Sequence, residues 1–236
     1  MRAQVFFSPS EVDPAAVQRA TVVVVDVVRA TTTMVEALAH GARAIYPTAS
    51  TEEAVRLATS LGRDDTLLCG ERKGVKVEGF DLGNSPQEFS PDVVGGMRLV
   101  MSTTNGTGAV AKVQEADRVL ACAFTNLTAV ADAVRGADHL VVVCAGGTGR
   151  FALDDALCAG HLLRRLGEGH DLNDAARAVT ALAEVVTPDA AFLRSTEAGV
   201  ALAEIGLAED LEVCGEVDRH AVVVEMRDQA LVAVGS

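Results

Sequence analysis

TVVVVDVVRATTT (21–33), continued by MVEALAHG to Gly41, joins a β-branched apolar run to a hydroxyl-rich turn and then an amphipathic helix. Gly41 is a helix stop of the ordinary kind. The same unit recurs twice. RLVMSTTNGT (98–107) leads into GAVAKVQEA, and HLVVVCAGGTG (139–149) leads, after a short connector, into LDDALCAGHLLRRLG. Between these units the periodicity predicts strands at 43–47 and 118–123 and helices at 51–61 and 127–135, with Asn126 as N-cap of the last. Strand–turn–helix alternation at this spacing argues for an α/β fold, a mostly parallel sheet with helices on both faces. Ligands then belong at the carboxyl ends of the strands. The last third reads differently. Residues 173–206 suggest two Ala-rich helices parted near Pro188, and 220–234 suggest a hairpin turning at Arg227 and Asp228 that completes or covers the fold.

Composition agrees. Hydrophobic residues make up 49 % of the 236, aromatics only 3 %, and Trp is absent, so the core must be aliphatic. The length suits a single domain over 1–236, or two intimately packed halves meeting near 115–137. Charges or glycines interrupt every apolar run short of the ~20 residues a membrane span needs. No signal-peptide pattern opens the chain, so a cytoplasmic protein is expected. An aliphatic-rich chain of this size is commonly a homo-oligomer. The net charge of −13 repels nucleic acid and anionic membranes, so neither is an expected partner. An anionic small molecule would need local cationic or N–H donors, or a divalent cation. The five cysteines form no CxxC pair and read as buried thiols, with Cys144 the one to watch beside a Gly-rich turn.

The three turns, RATTT, STTNGT and AGGTG, each bring hydroxyls, an amide or bare N–H groups to a helix N-terminus, where an anion is favoured. One such turn is ordinarily a cap; three on one sheet edge can hold two anionic groups of one ligand. Asp26 interrupts a valine run, where a carboxylate is costly without a cation or a partner such as Arg29. LLCGERKGVKVEGFDLGNSPQEF (67–89) packs Glu71, Arg72, Lys73, Lys76, Asp81, Asn84 and Ser85 among glycines, a loop able to approach a ligand closely. Asp154 and Asp155 open the helix after the third turn, serving its dipole or a magnesium ion. The five histidines show neither HExxH nor zinc spacing, and GxGxxG, GxxxxGK[ST] and GxSxG are absent.

DVVRATTT (26–33), GERKGVKVEGFDLGNSPQE (70–88), STTNGT (102–107) and CAGGTGRFALDDALCAG (144–160) together resemble the 2-phosphosulfolactate phosphatase family, and GLAEDLEVCGEVD (206–218) is similar to it as well. The resemblance implies a three-layer α/β/α fold and a magnesium-dependent phosphatase that converts 2-phosphosulfolactate to sulfolactate on the route to coenzyme M. Another small phosphorylated hydroxy acid, or a non-catalytic anion-binding role, are the alternatives. On the resemblance, Asp26, Arg29 and Asp81 are the catalytic candidates. Metal ligands would come from Glu71, Asp154 and Asp155. The substrate would be held by Thr31, Thr32, Thr33, Arg72, Lys73, Lys76, Asn84, Ser85, Thr104, Asn105, Gly106, Thr107, Gly146 and Gly147. A metal-bound water activated by Asp26 or Asp81 is the first candidate nucleophile and a phospho-enzyme through Asp26 the second. One departure is local: Asp154-Asp155 stands where a Glu-Asp pair is expected, which shortens the reach of the first carboxylate.

Overall fold

The computed structural model describes residues 1–234. Its strands are β1 (Arg2–Phe6), β2 (Thr21–Val25), β3 (Ala44–Pro47), β4 (Thr66–Arg72), β5 (Val75–Lys76), β6 (Arg98–Ser102), β7 (Arg118–Cys122), β8 (His139–Cys144), β9 (Asp171–Leu172), β10 (Val223–Arg227) and β11 (Ala230–Val234). They form one sheet in the order β5-β4-β6-β3-β11-β10-β7-β2-β8-β1-β9. Helices cover both faces, giving the three-layer α/β/α arrangement. β1 with β8 and β9, β2 with β7 and β8, and β6 with β3 and β4 all pair parallel.

The valine runs follow from this burial. Side chains alternate across a strand, and β2 is covered on both sides. Val23 and Val25 pack with Leu140, Val142 and the helices Leu127–Val134 and Leu153–Leu166. Val22 and Val24 pack on the opposite face with Val141, Val143, Ala109 and Val110. A half-solvated strand would need polar residues at alternate positions; this one cannot use them.

The C-terminal hairpin does more than cover the fold. β10 pairs antiparallel with β7, and β11 antiparallel with β3, so the hairpin lies between two parallel blocks of strands and joins them into one sheet. Its turn falls at Asp228 and Gln229, one residue later than expected, with φ of 48° and 67°. Positive φ at both central residues is what a two-residue hairpin loop requires.

Three local expectations change. The helix after β2 begins at Ala30, so Thr31–Thr33 lie in its first turn rather than in a loop. At its other end, Gly41 (φ +90°) closes a Schellman motif, with Gly41 N–H donating to Leu38 O and Ala42 N–H to Ala37 O. Asn126 does not cap with its side chain. Its amide accepts from Ala123 N–H and donates to Ala121 O and Val222 O, tying the end of β7 to the approach of the hairpin. Residues 173–206 form three helices, not two: Asp174–Val185, Ala190–Ser195 and Glu197–Glu204. The second break lies at Thr196, whose hydroxyl accepts from Gly199 N–H at 3.0 Å and restarts the helix.

Candidate active site

At the carboxyl edge of the parallel strands lies a cavity of about 360 Å³. It is lined by Asp26 and Arg29 after β2, Glu71 and Lys73 at the end of β4, Asn84, Thr103–Asn105 after β6, Gly146–Thr148 after β8, and Asp154 and Asp155. Residues more than 120 positions apart thus converge, and each arrives on the turn that follows a strand. The wall opposite is apolar. Ala198, Ala201, Leu202 and Ile205 present one face of the helix Glu197–Glu204 and its end.

Several N–H donors at these turns are already engaged by carboxylates. Asp26 Oδ1 accepts from Ala30 N–H at 3.1 Å, at the N-terminus of the helix that follows it. Asp155 accepts from Val27 N–H (2.8 Å) and Gly146 N–H (3.0 Å), clamping the ends of β2 and β8 together. Glu71 accepts from Thr104 N–H (2.7 Å), Thr104 Oγ1 (3.0 Å) and Gly74 N–H (2.6 Å), which fixes the end of β4 against the turn after β6. The sequence suggested donors waiting for an anion. The structure fills several of them with the chain's own acids.

Four carboxylates around one cavity repel one another. Burial pushes the Asp26 carboxyl up to about 7, helped by the charges of Asp154 and Glu71 and opposed by the Ala30 N–H and Arg29. Burial likewise raises Asp154 to about 6. Asp155 is raised well above the usual range by burial and then by Asp154 and Asp26. Such grouped shifts mark sites where proton transfer or a cation is wanted.

Oxygen atoms that lack partners say which. Asp154 Oδ1 and Asn84 Oδ1 are both buried without a hydrogen-bond partner, and both residues line the cavity. Orphaned buried acceptors are rare in folded proteins, and a hard divalent cation is the natural partner for oxygen-only ligands. The donor set therefore fits magnesium, with Asp154 the best placed carboxylate. Asp155 and Glu71 have both oxygens committed to backbone or hydroxyl donors and serve chiefly to set the geometry.

Other expected residues lie elsewhere. Asp81 is outside the cavity: its carboxylate accepts from Arg63 (2.7 Å) and Leu68 N–H (2.7 Å), so it ties the 63–82 region together and does not reach the reacting centre. Thr31, Thr32 and Thr33 are fully buried, and their hydroxyls donate to the carbonyls of Asp26, Val27 and Asn84. Thr31 and Thr32 bond back to the preceding turn in the manner of threonines at a helix start, and Thr33 ties the helix to the loop at 84, so all three hydroxyls are spent within the chain rather than free to grip a phosphate. Thr107 is spent in the same manner on Thr103 O. Arg72 donates to Glu71 O, Ser102 O and Ser102 Oγ, bracing β4 against β6. Lys76 is exposed on β5 and does not line the cavity, whereas Lys73 does. Asn105 Oδ1 accepts from Thr148 N–H, and Gly146 and Gly147 form the floor with it.

One buried acid and one apolar wall carry no assignment from the sequence. Asp210 is buried and accepts from Arg29 Nη1 (2.8 Å), Ser85 Oγ (2.6 Å) and Gln87 Nε2 (3.0 Å). Ser85 is therefore a support for Asp210, and Asp210 in turn holds the Arg29 guanidinium, whose other arm donates to Gly74 O. Its segment, 206–218, carried a family-like pattern but nothing that distinguished this acid from its neighbours. The apolar wall was signalled by the spacing of Ala198, Ala201, Leu202 and Ile205, which is that of one helix face.

Gly106 does not line the cavity but limits its shape. A Cβ there would stand 2.4 Å from Ala30 Cβ and 2.7 Å from Asp26 Oδ2. Gly106→Ala should therefore displace Asp26. The expected outcome is a loss of about 1–3 kcal/mol of stability in urea unfolding, with turnover falling about tenfold or more from the misplaced carboxylate. Unchanged turnover would show that Asp26 tolerates displacement. Cys144, also at this edge, is buried, and burial raises its thiol well above the usual value, so it is an inert core residue.

A family model described as 2-phosphosulpholactate phosphatase matches residues 6–229. Several curated relatives carry the name "Probable 2-phosphosulfolactate phosphatase". One from Pseudothermotoga lettingae is 38 % identical over 221 residues, covering 93 % of each chain. One from Thermotoga petrophila is 37 % identical over 204 residues, covering 86 % of this chain and 87 % of its own. One from Clostridium perfringens (strain SM101) is 34 % identical over 242 aligned residues, covering all of this chain and 98 % of its own.

Proposed function

The chain belongs to the 2-phosphosulfolactate phosphatase family, and we propose that it hydrolyses 2-phosphosulfolactate to sulfolactate and phosphate with a magnesium ion held in the cavity. That it is a phosphatase acting on a phosphate monoester follows from the family. The substrate and the metal are the finer reading, and the charge balance of the cavity carries it.

A substrate with a carboxylate, a sulfonate and a phosphomonoester brings about four negative charges at pH 7. The cavity meets it with four carboxylates and two cationic side chains, Arg29 and Lys73, and Arg29 is already paired with Asp210. Such a site cannot take a polyanion unaided. Magnesium bound at Asp154 and Asn84, with Asp26 in reach, would neutralise the transferring phosphoryl group and its leaving oxygen.

The chain's own groups do the rest. Lys73 offers a mobile ammonium to the carboxylate or sulfonate. Gly146–Thr148 and Asn105 shape the floor, and the apolar helix Glu197–Glu204 excludes water from the side away from the strands. Asp26, with Oδ1 held by Ala30 N–H, has Oδ2 to accept the proton of the attacking water. Burial raises this carboxyl and so its basicity, and a nearby cation would keep it ionised at neutral pH. Phosphoryl transfer asks mainly for positioning and charge neutralisation, which these residues supply.

The test is phosphate release from 2-phosphosulfolactate beside a panel of other phosphorylated hydroxy acids, with magnesium and after chelation. The expected result is preference for the sulfonated ester and at least a hundredfold loss on chelation, about 3 kcal/mol of barrier. Full activity in chelator removes the metal from the proposal. Equal or faster hydrolysis of an unsulfonated ester moves the substrate assignment to that ester.

A further inference from the structure

Among the described residues, one trio of His, Cys, Asp and Glu side chains brings its ligand atoms within 4.8 Å of one another: Glu36, His40 and His220. It lies at the far end of the helix whose N-terminus holds Asp26, roughly 15 Å along that helix from the cavity. Glu36 and His40 share one helix face at an i, i+4 spacing. His220 arrives from the approach to β10, anchored by its backbone N–H on Thr125 O at 2.8 Å. No sequence pattern links position 220 to the other two.

The geometry around His40 is that of a ligand held in place. His40 Nδ1 lies 2.7 Å from Phe89 O. A carbonyl can only accept, so Nδ1 donates to it and Nε2 is the nitrogen left to face the trio. It lies 3.9 Å from Glu36 Oε2. A ring fixed through its outer nitrogen by a backbone carbonyl is the usual support for a metal-bound histidine. His220 Nε2 donates to Glu36 Oε1 at 2.7 Å, and an ion bound between them would displace that proton. Glu36 is only 3 % exposed while the rings of His40 and His220 are 24 % and 17 % exposed, so an ion can enter and keep a water. Two imidazoles, one carboxylate and an open position suit zinc rather than magnesium.

We propose that Glu36, His40 and His220 form a zinc-class cation site, separate from the catalytic cavity, that pins the helix Ala30–Ala39 to the C-terminal hairpin. Arg219 competes for it: its Nε lies 3.1 Å from Glu36 Oε1, while its other arm pairs with Glu216 at 2.6 Å. The guanidinium can therefore withdraw to Glu216 when an ion binds.

The test uses the full chain, stripped by chelator and titrated with Co²⁺ in excess Mg²⁺, reading visible d–d absorption and metal content after gel filtration. One equivalent at micromolar affinity is expected. His40→Ala and His220→Ala should each weaken it about a hundredfold or more, and Arg219→Gln should tighten it. Phosphatase turnover in magnesium should be unchanged in all three. Should either alanine variant fail to fold, His40→Gln and His220→Gln give the same reading. Absence of uptake by the parent chain, or uptake that both histidine variants retain, overturns the proposal. Because turnover is read separately, its loss in the parent would count against the phosphatase reading alone.

Discussion

Asp26→Asn lowers kcat by about three orders of magnitude and, in metal-free buffer at pH 8, raises the Tm of the protein. The first half follows from removing a positioned proton acceptor, an effect of about 10²–10⁴; Asp154, the other buried cavity carboxylate with an uncommitted oxygen, is assigned to the metal. The second half follows from linkage. The folded-state carboxyl is raised from 3.8 to about 7, with burial as the leading cause. Between those pH values the folded chain binds more protons than the unfolded chain, so stability falls as pH rises through that window and stays low above it. Asparagine is isosteric, still accepts the Ala30 N–H, and carries no charge to desolvate. The variant gains on the order of 2 kcal/mol at pH 8, a few °C for a chain of this length, and nothing near pH 3. The pH dependence of kcat/KM should change in step. With magnesium bound, the ion's charge holds the Asp26 carboxyl below its metal-free value, so the parent loses activity on an acidic limb below pH 7 and the variant's residual activity lacks that limb. Parent-like turnover with the same acidic limb would take Asp26 out of the mechanism. A destabilised variant would mean that its carboxylate is held by a partner stronger than the Ala30 amide. A site that costs stability in order to hold charge ready is common in enzymes.

Which parts of this were readable in the chain follows from the range of the interactions. The valine runs of β2 and β8 encode two-sided burial locally, so the parallel sheet was legible. The Schellman glycine at 41 is likewise a local signal. Insertion of β10–β11 between β7 and β3 was not, because strand pairing is decided by partners a hundred residues away. At the site, the turns lie at the strand ends, as the strand–turn–helix units imply. What the units do not encode is where the hydroxyls of RATTT go: Thr31 and Thr32 bond back to Asp26 O and Val27 O, Thr33 reaches across to Asn84 O, and the helix starts at Ala30. Asp81 and Asp210 are indistinguishable by spacing. Only the fold reveals that the first binds Arg63 on the outside and the second holds Arg29 from beneath.

Asp154→Asn should abolish the response to magnesium while leaving the apo fold intact. In the parent, an ion at a hundred times its Kd adds about 2.7 kcal/mol, or roughly 5–10 °C of Tm at this chain length. The reason to expect the whole of that shift to vanish is that Asp154 Oδ1 has no protein partner to lose. Its charge is destabilised by burial, with a carboxyl raised to about 6, until a cation arrives. Neutralising it relieves repulsion in the apo protein and removes the ligand at once. Turnover should fall about a thousandfold, because without the ion the phosphate meets an uncompensated acidic wall. Asp155→Asn is the contrasting case. That carboxylate accepts from Val27 N–H and Gly146 N–H, and an amide can satisfy only one of them. The variant should lose about 1–3 kcal/mol of stability, yet the magnesium-dependent rise in its Tm should persist. The opposite pattern, with Asp154→Asn still stabilised by magnesium and Asp155→Asn indifferent to it, would transfer the metal to the second carboxylate. The unpartnered oxygen at 154 would then require another occupant.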